Sequence, residues 1–369
     1  MSTKAVKFSK ENTEFVYAIR ERVKEYFAEH NISSYGNAEM VIKTIFMISL
    51  YLAPYVLLAT GVFTSPLMVI IMWVLMGLGA SGIGMCVMHD ANHGAYSQNP
   101  TVNKYIGKWL NLLGGYVGIW KIQHNRLHHS YTNIEEHDED IAVELVLRLS
   151  PHKKRHGFHR LQHIYGWFLY GFMTLSWITV NDYTKLVRYH QNGFLGTKKN
   201  IFLEKLLKLS AYKAFYYSVF LVIPIIFFPM AWWMVLVGFL SMHFVAGFIL
   251  TSIFQLAHVM PDCEYPLPDN EGNMENNWAV HQLLTTTNFS PTSRIFSWCL
   301  GGLNYQIEHH LFPKICHVHY RKISKIVQQT AKEFDLPYYV QPTFFHALYE
   351  HMKMLRILGK YDSLPAMGN

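Results

Sequence analysis

Long apolar runs alternate along the chain with polar, histidine-rich stretches, and the lengths of the runs set the architecture. Thr44 to Phe63 is 20 residues without a charge, and Leu67 to Met88 is 22. As helices, both are long enough to cross a hydrocarbon core of about 30 Å. Only Thr64, Ser65 and Pro66 separate them, so the pair forms a hairpin. A second pair starts at Ala214 to Phe228, with Tyr212, Tyr216 and Tyr217 as interface residues. Pro229 and Met230 make its turn, and Ala231 to Ala257 then runs 27 residues with His243 as its one titratable group. Spans are expected over 44–63, 67–88, 212–229 and 231–257. Ahead of them, Val16, Ile19, Val23, Tyr26 and Phe27 recur at the spacing of an amphipathic helix that stops before Gly36. No secretory signal peptide is expected, because no apolar stretch of that type lies near Met1.

Two further apolar stretches, 108–120 and 164–180, are placed by charge. Lys153, Lys154, Arg155 and Arg160 precede the second; Lys185, Arg188, Lys198, Lys199, Lys205 and Lys208 follow it. Positive charge marks the cytoplasmic side, so both flanks belong on one face. Both stretches are therefore expected to be interfacial or re-entrant. Four spans remain, in two hairpins, with both termini cytoplasmic and external loops free of Lys and Arg. The chain reads as an all-α integral membrane protein: a cytosolic amphipathic segment over 1–40, a membrane domain over 41–325 and a cytosolic C-terminal segment over 326–369.

Composition agrees. The 369 residues are 51% hydrophobic and 15% charged, against about 25% charged in a soluble domain. Disorder, collagen-like repeats and a small disulfide scaffold are excluded. Cys86, Cys263, Cys299 and Cys316 show no CxxC spacing, which argues for a reducing compartment and against a cysteine zinc site. The net charge is +7, but the basic residues follow the bilayer rather than a helix face, which excludes nucleic acid as a partner. Lys153, Lys154 and Arg155 read as an anchor to anionic lipid, and Trp120, Trp167, Trp232 and Trp233 as interfacial anchors.

The 21 histidines carry the chemistry. His89 and His93 lie in HDANH, at the end of the second span. His124, His128 and His129 lie in HNRLHH, His258 closes the fourth span in QLAHVMPD, and Gln306, His309 and His310 lie in QIEHH. All fall on one side of the membrane. Residues i and i+4 share a helix face, so His89 with His93, and His124 with His128, can reach a common ion. Neighbouring histidines diverge by about 100°, so His128 and His129, or His309 and His310, can serve two ions. Eight histidines exceed what one ion uses. The second span is about 40 Å long when extended to His93, which carries its ligands beyond the lipid. Imidazole suits zinc, copper, iron and nickel, and spacing alone does not identify the element; an open dinuclear iron site leads. Asp90, Asp138, Asp140, Asp262 and Glu308 are candidates to orient the ligand rings. His281, in WAVHQ, is a candidate for a supporting or substrate-facing role. His243 reads as a packed, hydrogen-bonding residue of its span. His137, His152, His156, His159, His163, His317 and His319 read as surface residues.

HDANH, HNRLHHSYTN and NYQIEHHLFP resemble, in order and separation, the three histidine boxes of membrane fatty-acid desaturases. The glutamine opening the third box, with HQLLTTTNF upstream, resembles the front-end branch and its bacterial acyl-lipid and acyl-CoA relatives. The resemblance spans roughly residues 40–325. It implies a four-helix transmembrane base and a cytosolic helical cap with a non-haem di-iron centre. It also implies O2-dependent insertion of a cis double bond into an acyl-CoA or acyl-lipid chain. Carried residue by residue, the ligands are His89, His93, His124, His128, His129, His309 and His310, with His258 as the lone histidine after the last span, and no catalytic residue beyond them. Gln306 stands where many desaturases have histidine, so it is a weak oxygen ligand, acts through water or does not ligate. No HPGG motif occurs and 1–40 is too short for a fused cytochrome b5 domain, so a separate donor of ferredoxin or cytochrome b5 type is expected. The branch implies delta-5 or delta-6 regiochemistry, while relatives of similar box pattern include delta-9 enzymes. The alternatives are a lipid hydroxylase, ketolase or epoxidase on the same scaffold and, more distantly, a membrane zinc transporter or sensor, which would place ligands within the spans.

Overall fold

The computed structural model describes residues 6–11, 13–142 and 145–364. It is mostly helical. Four helices are long and apolar enough to cross a membrane: Ala38–Ala59, Pro66–His93, Ile201–Phe227 and Trp232–His258. Each has a local reason for its limits. The first starts at Asn37, whose side chain caps Met40 N at 3.3 Å. Its chain reverses at Gly61, where φ is +73° and a side chain would be strained. The second starts on Pro66 and stops at Gly94, again left-handed.

The third helix begins at Ile201, eleven residues ahead of the expected 212. Its first turns carry Glu204, Lys205 and Lys208, which a count of charge-free residues passes over. Tyr216, expected at the interface, consequently sits mid-helix and is buried. The stretches 108–120 and 164–180 are broken into short pieces, among them Trp109–Leu112, Val117–Trp120, Gln162–Tyr170 and Met173–Ser176. None of these pieces approaches the length of a span.

The chain divides into two compact units. One comprises residues 37–122 and 167–252 and holds the first three long helices with most of the fourth. Here glycine sets the approach of helices. A Cβ on Gly79 would lie 2.5 Å from Tyr51 N, and one on Gly77 would lie 2.7 Å from Met242 O, so backbone meets backbone at both positions. Large apolar residues on the outer faces, such as Ile42, Ile45, Val56 and Phe227, stay exposed, as lipid-facing positions must. Several buried polar groups are paired. Lys213 Nζ reaches Asp182 Oδ2 and Gly114 O, both at 2.6 Å, and Trp177 Nε1 donates to Asp182 Oδ1 at 2.9 Å. Trp120 is buried with Met88 and Leu110 rather than anchored at an interface.

The other unit comprises residues 1–36, 123–166 and 253–369, including the end of the fourth long helix. Helix Thr13–Glu29 buries Phe15, Ile19 and Val23, and that stripe packs with Leu283, Ile307, Ile323 and Val327. Strand β1, Thr287–Phe289, pairs in parallel with β2, Tyr339–Gln341, in the register Asn288 to Val340. Arg148 is buried and spends its guanidinium on five carbonyls, those of Pro151, Lys153, Leu358, Tyr361 and Asp362, which ties its loop to the end of helix Phe344–Lys360. His159, His317 and His319 are buried instead of lying at the surface. His159 and His319 are drawn in by backbone carbonyls, Leu145 O at 2.7 Å and Tyr35 O at 3.1 Å.

Candidate metal centre

Three elements of the second unit bring histidines together. The first is a π-helical segment, Lys121–His128, continued by His129–Tyr131. Its i→i+5 bonding widens the turn, and residues five apart meet. His124 and His129 place their Nε2 atoms 3.2 Å apart, while His124 and His128 stack at 5.4 Å between ring centroids. The expectation of an α-period, pairing only i with i+4, misses the first of these contacts. The second element is the end of the fourth long helix, which delivers His258. The third is the short helix Gln306–Leu311, which delivers His309 and His310.

His128, His258 and His310 form one buried group whose ligand atoms lie within 4.8 Å of one another. The other nitrogen of each ring explains the group. His128 Nδ1 donates to Asp138 Oδ1 at 3.0 Å, His258 Nδ1 to Thr285 O at 3.1 Å, and His310 Nδ1 to Gln282 Oε1 at 2.8 Å. A carboxylate or a carbonyl oxygen only accepts, so each Nδ1 bears a hydrogen and, in the neutral ring, each Nε2 is left with its lone pair. Three lone pairs converging inside a protein repel one another unless a cation sits between them. His258 Nε2 is fully buried and has no hydrogen-bond partner among the described residues, a cost that native interiors avoid unless something else binds there. These residues fit a metal ion.

The remaining expected residues of this unit lie around the group. His129 is 4.4 Å from His310 and 4.5 Å from His309 between ring centroids, and His124 stacks on His309 at 5.8 Å. Asp138 also accepts from the backbone N–H of Asn133 and Asp140, both at 2.9 Å, and Asp140 accepts from Gln123 at 2.8 Å while its other oxygen is 3.5 Å from His128 Nδ1. Burial works against a charged His128, but the two aspartates outweigh it and raise the ring to about 9, so a metal ion bound at Nε2 would take the place of a proton there. Gln306 is buried one turn ahead of His309 and His310, and its Nε2 has no hydrogen-bond partner among the described residues. His281 donates from Nε2 to Thr132 O at 2.8 Å, and burial pushes it down to about 4. Glu308 and Asp262 hold backbone elements rather than rings. Glu308 accepts from Asn288 of β1 and from the Tyr338 hydroxyl, both at 2.8 Å, and Asp262 accepts from Gln341 of β2 at 2.8 Å. Burial raises Glu308 to about 7 against those two bonds.

In the first unit, His89 and His93 lie one helical turn apart with ring centroids at 4.8 Å, beyond a π turn at Ile83–Val87. Asp90 Oδ1 is 3.9 Å from His89 Nδ1. The Trp120 indole packs edge-on against both rings, at 5.7 and 5.9 Å. Trp120, Thr132, Gln282 and Thr285 are the supporting residues that the sequence did not single out. All but Trp120 fall inside quoted motifs, yet their roles depend on which ring each one faces.

Buried imidazoles with paired Nδ1 atoms, on a chain with four membrane-length helices, define a membrane protein whose histidines could hold a metal. The family described as fatty acid desaturase matches residues 64–342, and the chain belongs to it. It is 36% identical over 361 residues to the acyl-lipid (8-3)-desaturase of Physcomitrium patens, covering 95% of this chain and 72% of that one. It is 34% identical to the sn-1 linoleoyl-lipid 6-desaturase of Arthrospira platensis, covering 96% of this chain and 95% of that one. To the Synechocystis enzyme of the same description it is 33% identical, covering 98% and 99%. The protein is therefore an oxidoreductase that desaturates fatty acyl chains.

Proposed function

We propose that this enzyme is an O2-dependent front-end desaturase acting on acyl lipids, with two iron ions held by His89, His93, His124, His128, His129, His258, His309 and His310. The observation that carries the reading is the group of His128, His258 and His310, each with its Nδ1 on an acceptor. Bound there, iron would supply the oxidation of two adjacent methylenes: the chain loses two hydrogens, and O2, two electrons and two protons complete two molecules of water. The electrons come from a separate donor of ferredoxin or cytochrome b5 type.

The chain's own residues do the rest. Asp138, Thr285 and Gln282 hold the Nδ1 hydrogens of three rings, which leaves each Nε2 as the nitrogen that would face the metal. Asp140 supports His128, and Asp90 stands beside His89. Glu308 and Asp262 fasten β1 and β2, which flank the third box. Burial of the whole group keeps water from the reacting chain. Charge parity of the loops supports a cytoplasmic position for both termini and for the site. The relatives described as acyl-lipid and linoleoyl-lipid desaturases favour a lipid-linked chain over acyl-CoA and a bond on the carboxyl side.

The test is the fatty-acid profile of a host expressing this chain beside one expressing His309→Ala, with mass spectrometry of derivatised chains to place any new double bond. The reading expects a histidine-dependent alkene at a delta-5 or delta-6 position. A delta-9 alkene would overturn the regiochemistry. A hydroxy, keto or epoxy product would move the enzyme to the sibling chemistry, and an unchanged product in His309→Ala would remove the metal assignment.

A further inference from the structure

The segment 281–289 is adjacent to three of the elements that build the site, and it touches each through a different polar atom. His281 Nε2 donates to Thr132 O in the second box. Gln282 Oε1 accepts from His310 Nδ1 in the third. Thr285 O accepts from His258 Nδ1 at the end of the fourth long helix. Asn288 Oδ1 accepts from Ile307 N at 2.9 Å and Asn288 Nδ2 donates to Glu308 Oε2, which fixes the turn before His309. Helix Trp278–Thr285 is short, capped by Asn277 through Ala279 N and Val280 N, and fully buried from Ala279 to Leu283.

Gln282 differs from the other acceptors in one respect. An aspartate or a backbone carbonyl has no alternative, but a glutamine amide can face a ring with either end. With Oε1 toward His310, Nδ1 keeps the hydrogen and Nε2 keeps the lone pair. With the NH2 group there instead, Nδ1 becomes the acceptor and Nε2 a donor, which no metal can use. Thr132 Oγ1 lies 2.8 Å from His128 O, 2.9 Å from the same Oε1 and 3.2 Å from His310 Nδ1; its one hydrogen, given to Oε1, favours the first orientation, and its lone pairs can accept from Nδ1 as Oε1 does. Selection has a cost: Gln282 Nε2 is buried and has no hydrogen-bond partner among the described residues. An amide whose only role was to fill the interior would turn over and lose less.

We propose that Gln282, with Oε1 2.8 Å from His310 Nδ1, is a positioning residue that holds His310 in its metal-ligating tautomer. The proposal rests on the reading that His128, His258 and His310 hold a metal ion. Support of this kind is worth ten- to a hundredfold in metal affinity.

The experiment measures iron per chain in the full-length, detergent-purified protein, and the rate at which that iron is lost to a ferrous chelator. It compares the wild type, Gln282→Leu, Gln282→Glu and His258→Ala. Gln282→Leu is expected to lose iron ten- to a hundredfold faster. Gln282→Glu keeps an acceptor toward Nδ1 and is expected to stay within threefold of the wild type. Equal loss rates for Gln282→Leu and the wild type overturn the proposal. So does a Gln282→Glu protein that sheds iron as fast as His258→Ala, an outcome readable even where the leucine variant does not accumulate. If His258→Ala itself holds iron like the wild type, the metal reading fails instead. A structural role alone predicts that both Gln282 variants lower the unfolding temperature alike and lose iron in step with it.

Discussion

One helix, Trp232–His258, carries two buried histidines that were given opposite tasks. His243 has both ring nitrogens paired, Nε2 with the Tyr216 hydroxyl at 2.8 Å and Nδ1 with Thr174 Oγ1 at 3.1 Å. His258, fifteen residues on, has Nδ1 on Thr285 O and an Nε2 with no hydrogen-bond partner among the described residues. Burial is nearly the same, 4% against 3% exposed. The difference lies in the partners. Thr174 Oγ1 gives its hydrogen to His243 O at 2.7 Å and so accepts from Nδ1, while the Tyr216 hydroxyl donates to Nε2, which satisfies both nitrogens of His243. A backbone carbonyl can only accept, so His258 is locked with a lone pair facing His128 and His310. Pairing on both nitrogens fits His243 to a structural role, while the single acceptor on His258, beside His128 and His310, fits it to the proposed role of metal ligand.

The strongest way to break this contrast is to remove each ring. His258→Ala is expected to abolish turnover, with a drop of more than about a hundredfold, because it removes a ligand whose supporting acceptors remain. His243→Phe is expected to keep its iron and most of its activity, losing on the order of 1–3 kcal/mol of stability through the stranded hydroxyls. Product formation, iron per chain and thermal unfolding in detergent check both. If His243→Phe lost iron as His258→Ala does, pairing would not be what separates them.

A steric change comes next. Gly79→Leu would drive a side chain into the backbone at Leu50 and Tyr51, and it is expected to cost about 3 kcal/mol or more or to prevent accumulation, read as yield of folded protein. Arg148→Lys is expected to cost about 1–3 kcal/mol despite its conserved charge, since an ammonium has three donors for five carbonyls. Unfolding temperature reads this, with iron content unchanged.

The effect that is smallest at neutral pH is a pH slope. Burial pushes His351 down to about 4, while its Nδ1 donates to Val259 O at 2.8 Å. Its ordinary value is about 6.5, so the unfolded chain takes up a proton first as pH falls. Stability therefore drops between roughly pH 6.5 and 4, by a few kcal/mol at the lower limit. His351→Gln, which can still donate to Val259 O, is expected to flatten that slope. A slope unchanged by the substitution would assign it to other groups.

Much of this molecule is legible in its sequence, and what is hidden has physical reasons. The spans are legible because lipid demands about 20 apolar residues, and the box histidines because ligands on helices recur at fixed spacing. The start of the third long helix is hidden, since Glu204 and the lysines beside it interrupt the apolar run without interrupting the helix. The contact of His124 with His129 is hidden because a π turn cannot be read from a pattern that assumes an α-helix. Burial of Trp120 beneath His89 and His93 overrides its interfacial character for the same kind of reason: tertiary packing decides it. Gln282, Thr132 and Thr285 are the most instructive omissions. Their residue types are ordinary, and only the ring nitrogen each one faces gives them a role.

On the proposed reading His258, with Nδ1 on an acceptor and Nε2 beside His128 and His310, holds iron for desaturation, and His243 does not. The most direct test is elemental analysis of the purified full chain beside His258→Ala and His243→Phe. The account predicts about two irons per chain in the wild type and in His243→Phe, with a clear loss in His258→Ala. Zinc in place of iron, or equal iron in all three proteins, would contradict it.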